Sequence, residues 1–332
     1  MIIRRALLLL APFAILLQLP GKNDPAAYVR MEVSAGGSRA LQTAWRLMQP
    51  PKGSGKPAIW LVGVSHIGQK SYYEKTQRKL DAVDLVLFEG VGFDGNATAR
   101  IKERDSSVSD LQTTLADSLG LVFQLDAIRY DRKHFRNSDL GVAELQAKLG
   151  GSGSKPKPGQ KGGDPEVRNF VKMLEGGSFA LTLAQGILKL FQGNPQFQAM
   201  ARLAIIEAIA ASEGDVSKLA GAASPGMQQL FKTLIDDRNA VVVRDVRKAI
   251  LAEEPPASIA VFYGAGHMID LETRLREELD YRSAEETWLT AFSVNPRKAG
   301  LSDFEVNFVG RLIRAQIAKL RKPAKSGKPK NR

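Results

Sequence analysis

The chain has 332 residues and a hydrophobic share of 44%, enough for one large domain or two small ones with a sizeable core. It contains no cysteine. That excludes disulfides, lipid attachment through a thiol and thiolate metal sites, so any metal centre must use N and O ligands. The net charge of +12 suggests nucleic-acid binding until it is located. Lys319, Arg321, Lys322, Lys325, Lys328, Lys330 and Arg332 lie in the tail, Lys155, Lys157 and Lys161 in a Gly/Pro-rich insert, and Arg4 and Arg5 at the start. Setting these aside leaves a body close to neutral, which argues against a specific nucleic-acid partner.

Arg4 and Arg5 precede an apolar run from Ala6 to Leu19. The run is shorter than the roughly 20 residues of a membrane span and is arranged like an export signal. Residues 1–27 therefore read as a signal peptide or an N-terminal membrane anchor. Either places the protein in the periplasm, outside the cell, or on a membrane. Tyr28–Ser34 and Ala40–Met48 flank Ala-Gly-Gly-Ser and read as a β-hairpin, followed by a Gly/Pro/Lys loop over Pro50–Pro57.

Ala58–Val62 is a short apolar run of the kind found in buried strands. Gln69–Leu80 has helical spacing, and Asp84–Phe88 is a second buried strand ending at Glu89. This order is that of a βαβ unit with parallel strands. Helical patterns follow over Val108–Leu119, Val122–Tyr130 and Leu140–Leu149. The low-complexity insert Gly150–Asp164 is expected to be a disordered loop. Glu166–Leu174, Phe179–Phe191, Pro195–Ala211 and Pro225–Ala252 complete a helical layer.

Ile259–Tyr263 repeats the buried-strand pattern, followed by a helix over Leu271–Leu279 and a strand region over Tyr281–Val294. Phe304–Lys319 is a final amphipathic helix, with Val306, Phe308, Val309, Leu312 and Ile313 expected to face inward. The fold expected is α/β. Its central mixed sheet is built from two related strand-turn-helix-strand halves, with a helical cap inserted between them. The body spans 28–317, and the basic tail, 318–332, is expected to be disordered and to contact an anionic membrane or envelope surface.

Each of the two related strands ends in Gly-x-x-His: Gly63-Val64-Ser65-His66 and Gly264-Ala265-Gly266-His267. The chain has only three histidines, and two occupy these matched positions. Imidazole suits metal ligation or proton transfer near neutral pH. Ligands in open α/β sheets bind at the carboxyl ends of strands. A glycine there allows the backbone to leave the β region without a Cβ penalty. Two such turns from adjacent halves bring His66 and His267 together, with Glu89 at a strand end nearby. Two imidazoles and a carboxylate suit a divalent ion with open positions.

Glu89 reads equally as ligand or as general base. Arg238 and Asn239, in the long polar run of the Pro225–Ala252 helix, are candidates to line the site. Arg238 has the fork to clamp a substrate carboxylate or stabilise an oxyanion. His134 lies in a charged stretch and reads as exposed. Ser65 beside His66 lacks the nucleophile-elbow context. No phosphate-binding glycine motif follows a strand.

These residues resemble the TraB/PrgY/GumN family, which includes the animal TIKI proteases. The likeness covers Tyr28 to Phe292. It rests on Gly63–His66 with Glu89, on Leu119-Gly120-Leu121 with Gln124 and Tyr130, on Arg238-Asn239, and on Gly264–His267. The resemblance implies an α/β fold related to erythromycin-esterase-like and haem-binding ChaN-like proteins. It also implies metal-dependent peptidase chemistry supported by Mn²⁺ or Co²⁺. His66, Glu89 and His267 would then be the metal positions, with Glu89, Arg238 and Asn239 catalytic or lining the site. The expected function is an exported metal-dependent hydrolase acting on a peptide or small-molecule substrate. The alternatives are a non-catalytic protein that sequesters a peptide or a haem-like ligand, and a metal-free esterase-like hydrolase.

Overall fold

The structure, a computed structural model, describes residues 25–90, 113–114, 116–141, 144, 148, 193–211 and 232–320. Residues 1–24 of the expected export segment, the Gly150–Asp164 insert and the helices at Glu166–Leu174 and Phe179–Phe191 lie outside the described residues. So do most of the tail, half of Val108–Leu119, most of Leu140–Leu149, and the first part of Pro225–Ala252.

The hairpin forms as expected. Strand β1 (Val29–Val33) pairs antiparallel with β2 (Arg39–Gln49). Next come β3 (Ala58–Val64), the short β4 (Ile67–Gly68), helix α1 (Lys70–Leu80) and β5 (Leu85–Phe88). They are followed by β6 (Val122–Phe123), α2 (Gln124–Ala127), β7 (Phe135–Asn137) and α3 (Pro195–Ala211). A π-helical turn (Thr233–Asp237) leads into α4 (Arg238–Ile250). The chain closes with β8 (Ser258–Gly264), a 3₁₀ turn (Ala265–His267), α5 (Met268–Leu279), β9 (Arg282–Val294) and α6 (Asp303–Leu320).

The fold is α/β with a mixed central sheet. Strands β3, β8, β5 and β7 lie side by side and all parallel. The other half is antiparallel. Along one edge β2 pairs with β9, and along the other it meets β1 over Arg39–Thr43 and β3 over Trp45–Met48. Arg46 ties this half to the helices. Buried, it donates to Glu272 of α5 at 2.5 Å and to Glu286 of β9 at 2.5 Å. The Tyr28 hydroxyl donates to the same Glu272 oxygen at 2.7 Å.

Helices cover both faces, which is why the central strands read as unbroken apolar runs. Val62, Val64, Val86, Phe88, Ala260 and Phe262 face the side of α1, α3 and α6. Ile59, Leu61, Leu85, Leu87, Ile259, Val261 and Tyr263 face the side of α4 and α5. The strand period of two thus divides each run between two cores.

The two Gly-x-x-His halves differ in one respect that positions the site. After β3 the chain turns to the α1 side; after its neighbour β8 it turns to the α5 side. Adjacent parallel strands whose connections leave toward opposite faces open a crevice at their carboxyl ends. The motifs are offset accordingly: Gly63 pairs with Tyr263, and Val64 with Gly264. A one-residue shift reverses the face on which a residue lies.

Three expectations are corrected. β3 and β5 are parallel, but β8 lies between them. Val122–Tyr130 is a two-residue strand and a single helical turn, because Val122 and Phe123 pair with Gly68 and Ile67. On α6, Val306, Val309 and Ile313 pack inward, whereas Phe308 and Leu312 face outward.

The motif glycines also serve a different purpose from the one expected. Neither has positive φ. A Cβ on Gly63 would lie 3.2 Å from the Ala44 carbonyl oxygen of β2, so this glycine allows close strand approach. Gly63→Val is expected to lower stability by about 1–3 kcal/mol, read as a shift in the denaturant midpoint, since the backbone it meets cannot move aside.

Candidate active site

Four neighbouring parallel strands deliver four side chains to one sheet edge. His66 follows β3, His267 follows β8, Glu89 follows β5 directly and Asp139 follows β7. The ladder continues into the site, where Glu89 N–H donates to Phe262 O at 3.1 Å. Gly264 N–H donates to Glu89 Oε2 at 2.8 Å. A Cβ on Gly264 would lie 3.1 Å from His66 Nε2 and 3.3 Å from Glu89 Oε2. The missing side chain is the space into which imidazole and carboxylate converge.

The two histidines are held in the same way. His66 Nδ1–H donates to Gln124 Oε1 at 2.9 Å, and Gln124 N–H donates to His66 O at 2.8 Å. His267 Nδ1–H donates to Asn239 Oδ1 at 2.8 Å, and Asn239 Nδ2 donates to His267 O at 3.2 Å. One carboxamide residue therefore grips both the ring and the carbonyl of each histidine. Asn239 Nδ2 also donates to Asp270 Oδ2 at 2.8 Å. With that amide nitrogen committed to two acceptors, its oxygen must face the ring, which places the His267 proton on Nδ1 and a lone pair on Nε2. Gln124 Nε2 donates to the Tyr130 hydroxyl at 2.9 Å.

The histidines differ in exposure. His66 is exposed at the mouth, whereas His267 is 5% exposed. The His66 turn is braced from α1: Tyr73 Oη donates to Ser65 O at 2.8 Å, and Ser65 N–H donates to Tyr72 Oη at 3.2 Å. Ser65 Oγ donates to Ile67 O at 2.7 Å, so the serine is part of the turn.

Arg238 binds the floor together. Its Nη2 donates to Glu89 Oε1 and to Asp139 Oδ2, both at 2.7 Å, and its Nε donates to Asp139 Oδ1 at 2.9 Å. Its Nη1 reaches Leu234 O at 3.3 Å and His267 Nε2 at 3.4 Å. All five N–H donors are thereby engaged. The fork expected to clamp substrate instead fixes Glu89. The π-helical turn just before it lets two consecutive residues, Arg238 and Asn239, both turn inward, 6% and 0% exposed.

No family model, no curated protein and no solved structure matches this chain.

Burial opposes ionisation of Glu89. The Arg238 guanidinium, then His267, His66 and the Gly264 N–H, outweigh it and hold the carboxyl well below the usual range. Burial also pushes the His267 imidazole down to about 4; Glu89 resists this and Arg238 reinforces it. His267 is thus neutral near pH 7, as a metal ligand or base must be. The donor chemistry fits a divalent ion, with two imidazoles locked at Nδ1 and a carboxylate on the same rim. Among the described residues, no three His, Asp or Glu side chains already stand as a metal-binding group.

The structure brings His66, Glu89, Arg238, Asn239 and His267 together as the sequence suggested. It leaves His134 apart, with its Nε2 against Leu80 O at 3.2 Å. Asp139, which the sequence offered only as one of several nearby residues able to line the pocket, is held in the floor by Arg238. Its one signal is its position just past a short strand.

Because the folded state disfavours protonated His267, the unfolded chain binds more protons below pH 6.5. Stability is therefore complete above pH 6.5 and falls as pH drops toward about 4, by up to a few kcal/mol. Protonation of Glu89 in the unfolded chain, which the folded state resists, adds to the loss below pH 4.5. Denaturant unfolding from pH 7.5 to 4 measures this slope, and His267→Gln is expected to flatten its upper part.

Proposed function

We propose that the chain is an exported hydrolase that cleaves a carbonyl bond, in the first instance a peptide bond, using a divalent ion held by His66, His267 and Glu89. The observation that carries this reading is the matched carboxamide grip. Two imidazoles leave neighbouring strands, each locked at Nδ1, beside a carboxylate that remains ionised. The resemblance to the TraB/PrgY/GumN family supports the same residues and favours Mn²⁺ or Co²⁺. When bound, the ion lowers the pKa of water and polarises a substrate carbonyl.

The chain's own groups divide the remaining work. His66, at the mouth, is the imidazole that an incoming substrate meets first. Glu89 accepts a proton or ligates, and Arg238 keeps it ionised and fixed in place. Arg238 acts on developing negative charge through its field, since its donors are engaged. Gln124 and Asn239 are positioning residues.

A metal-free hydrolase is the second reading, favoured by the Arg238 contact with Glu89. There the guanidinium already supplies the cation, and His66 Nε2 is the general base. Chelation separates the two. Loss of peptide hydrolysis with EDTA and recovery with Mn²⁺ supports the ion; undiminished turnover supports the base. Either way His66→Ala and His267→Ala are each expected to abolish turnover, and full activity in either variant overturns both readings. Peptide binding without cleavage, with and without Mn²⁺, would return the site to sequestration.

Gln124→Ala and Asn239→Ala are each expected to reduce activity or metal affinity by roughly 10–100-fold. Parallel kinetic assays and metal titrations of the purified variants check this. Gly264→Ala, which places a methyl between His66 and Glu89, is expected to cut turnover while leaving the thermal unfolding midpoint nearly unchanged.

A further inference from the structure

Helix α6 has two apolar faces. Val309 is buried, and Val306 and Ile313 pack against the core beside it, with α3 as the neighbouring helix. Phe304, Phe308 and Leu312, spaced i, i+4, i+8, form a second stripe that is 69%, 51% and 46% exposed. The two phenylalanine rings stack on each other, 6.2 Å apart and 18° from parallel. A large apolar stripe left in water on a charged helix marks an interaction surface.

The surrounding charge identifies the partner. From Val306 to the last residue the sequence has no Asp or Glu. It carries Arg311, Arg314, Lys319, Arg321, Lys322, Lys325, Lys328, Lys330 and Arg332. Arg311 is exposed in the same part of the helix as the stripe. Arg314 is partly committed, donating to the buried Glu207 at 2.8 Å, and this anchors the helix to α3. The acids Asp303 and Glu305 lie only in the first turn, where Asp303 is paired with Arg297. Aromatic and aliphatic side chains along a helix that runs into a cation-only segment match the interface of an anionic bilayer. The rings enter the headgroup boundary and the cations meet lipid phosphates.

We propose that the Phe304–Phe308–Leu312 face of α6 docks on an anionic phospholipid surface, with the cations that follow it supplying the electrostatic half of the attachment. The docking is independent of the hydrolase reading. It assigns the stripe to lipid, whereas the sequence placed only the tail there.

The test is co-sedimentation of the full-length chain with phosphatidylcholine vesicles and with the same vesicles doped with phosphatidylglycerol. The expected result is preferential binding to the doped vesicles, weakened by salt. A Phe304→Ser/Phe308→Ser/Leu312→Ser variant should lose about tenfold or more in partitioning with an unchanged unfolding midpoint. Phe308→Asp alone should show a smaller loss in the same direction and serves if the triple variant folds poorly. The N-terminal apolar run is present in parent and variants alike, so the difference reads α6.

Equal binding of parent and variants overturns the proposal, as does equal binding to doped and undoped vesicles. A concentration-dependent dimer of the parent that the triple variant lacks assigns the stripe to a second copy and overturns it as well.

Discussion

Parallel pairing of Ala58–Val64 with Ser258–Gly264 is the constraint on which the site depends. The two strands are far apart in the chain, and nothing local brings their histidines together. Once they pair, the offset of one residue between the motifs sends the following helices to opposite faces and opens the crevice between them. β5 adds Glu89 on the far side of β8, and β7 adds Asp139 beyond it. The site is thus a row of strand ends, and its geometry is as rigid as the ladder that spaces them.

Within that row the polar groups are mutually dependent. Glu89, Asp139, Arg238 and His267 are taken out of water together, and burying any one without its partners would be costly. Arg238 makes the arrangement tolerable: it neutralises one carboxylate and part of another, and through Glu89 it links to the Gly264 backbone. The carboxamides of Gln124 and Asn239 carry no charge. They set ring orientation and proton position without adding to the field, which leaves a lone pair on each Nε2, that of His267 turned toward Arg238 Nη1.

The antiparallel half of the sheet serves support. β2 is paired along both edges, and its Arg46 is held by acids from α5 and β9. Tyr28 closes the same cluster. These contacts fix α5, and with it the His267 turn, against a strand that contributes nothing to the site. The outer surface of α6 follows a different logic: its apolar side chains face solvent and its charges are of one sign.

Much of this was legible in the sequence. Continuous apolar runs bounded by turn residues located β3, β5 and β8, because strands buried on both faces need no polar alternation. The repeated Gly-x-x-His selected His66 and His267, and the acid after the second strand selected Glu89, because residues at strand ends are free of ladder constraints. The sequence could not decide what depends on long-range pairing. The insertion of β8 between β3 and β5, the strand at Val122–Phe123, the place of Asp139 and the capture of all five Arg238 donors are set by neighbours distant in the chain. The outward turn of Phe308 and Leu312 belongs with them. Helical periodicity reports an apolar arc, and only packing against α3 decides which part of that arc meets protein. Residue chemistry named the participants, and tertiary contact assigned their roles.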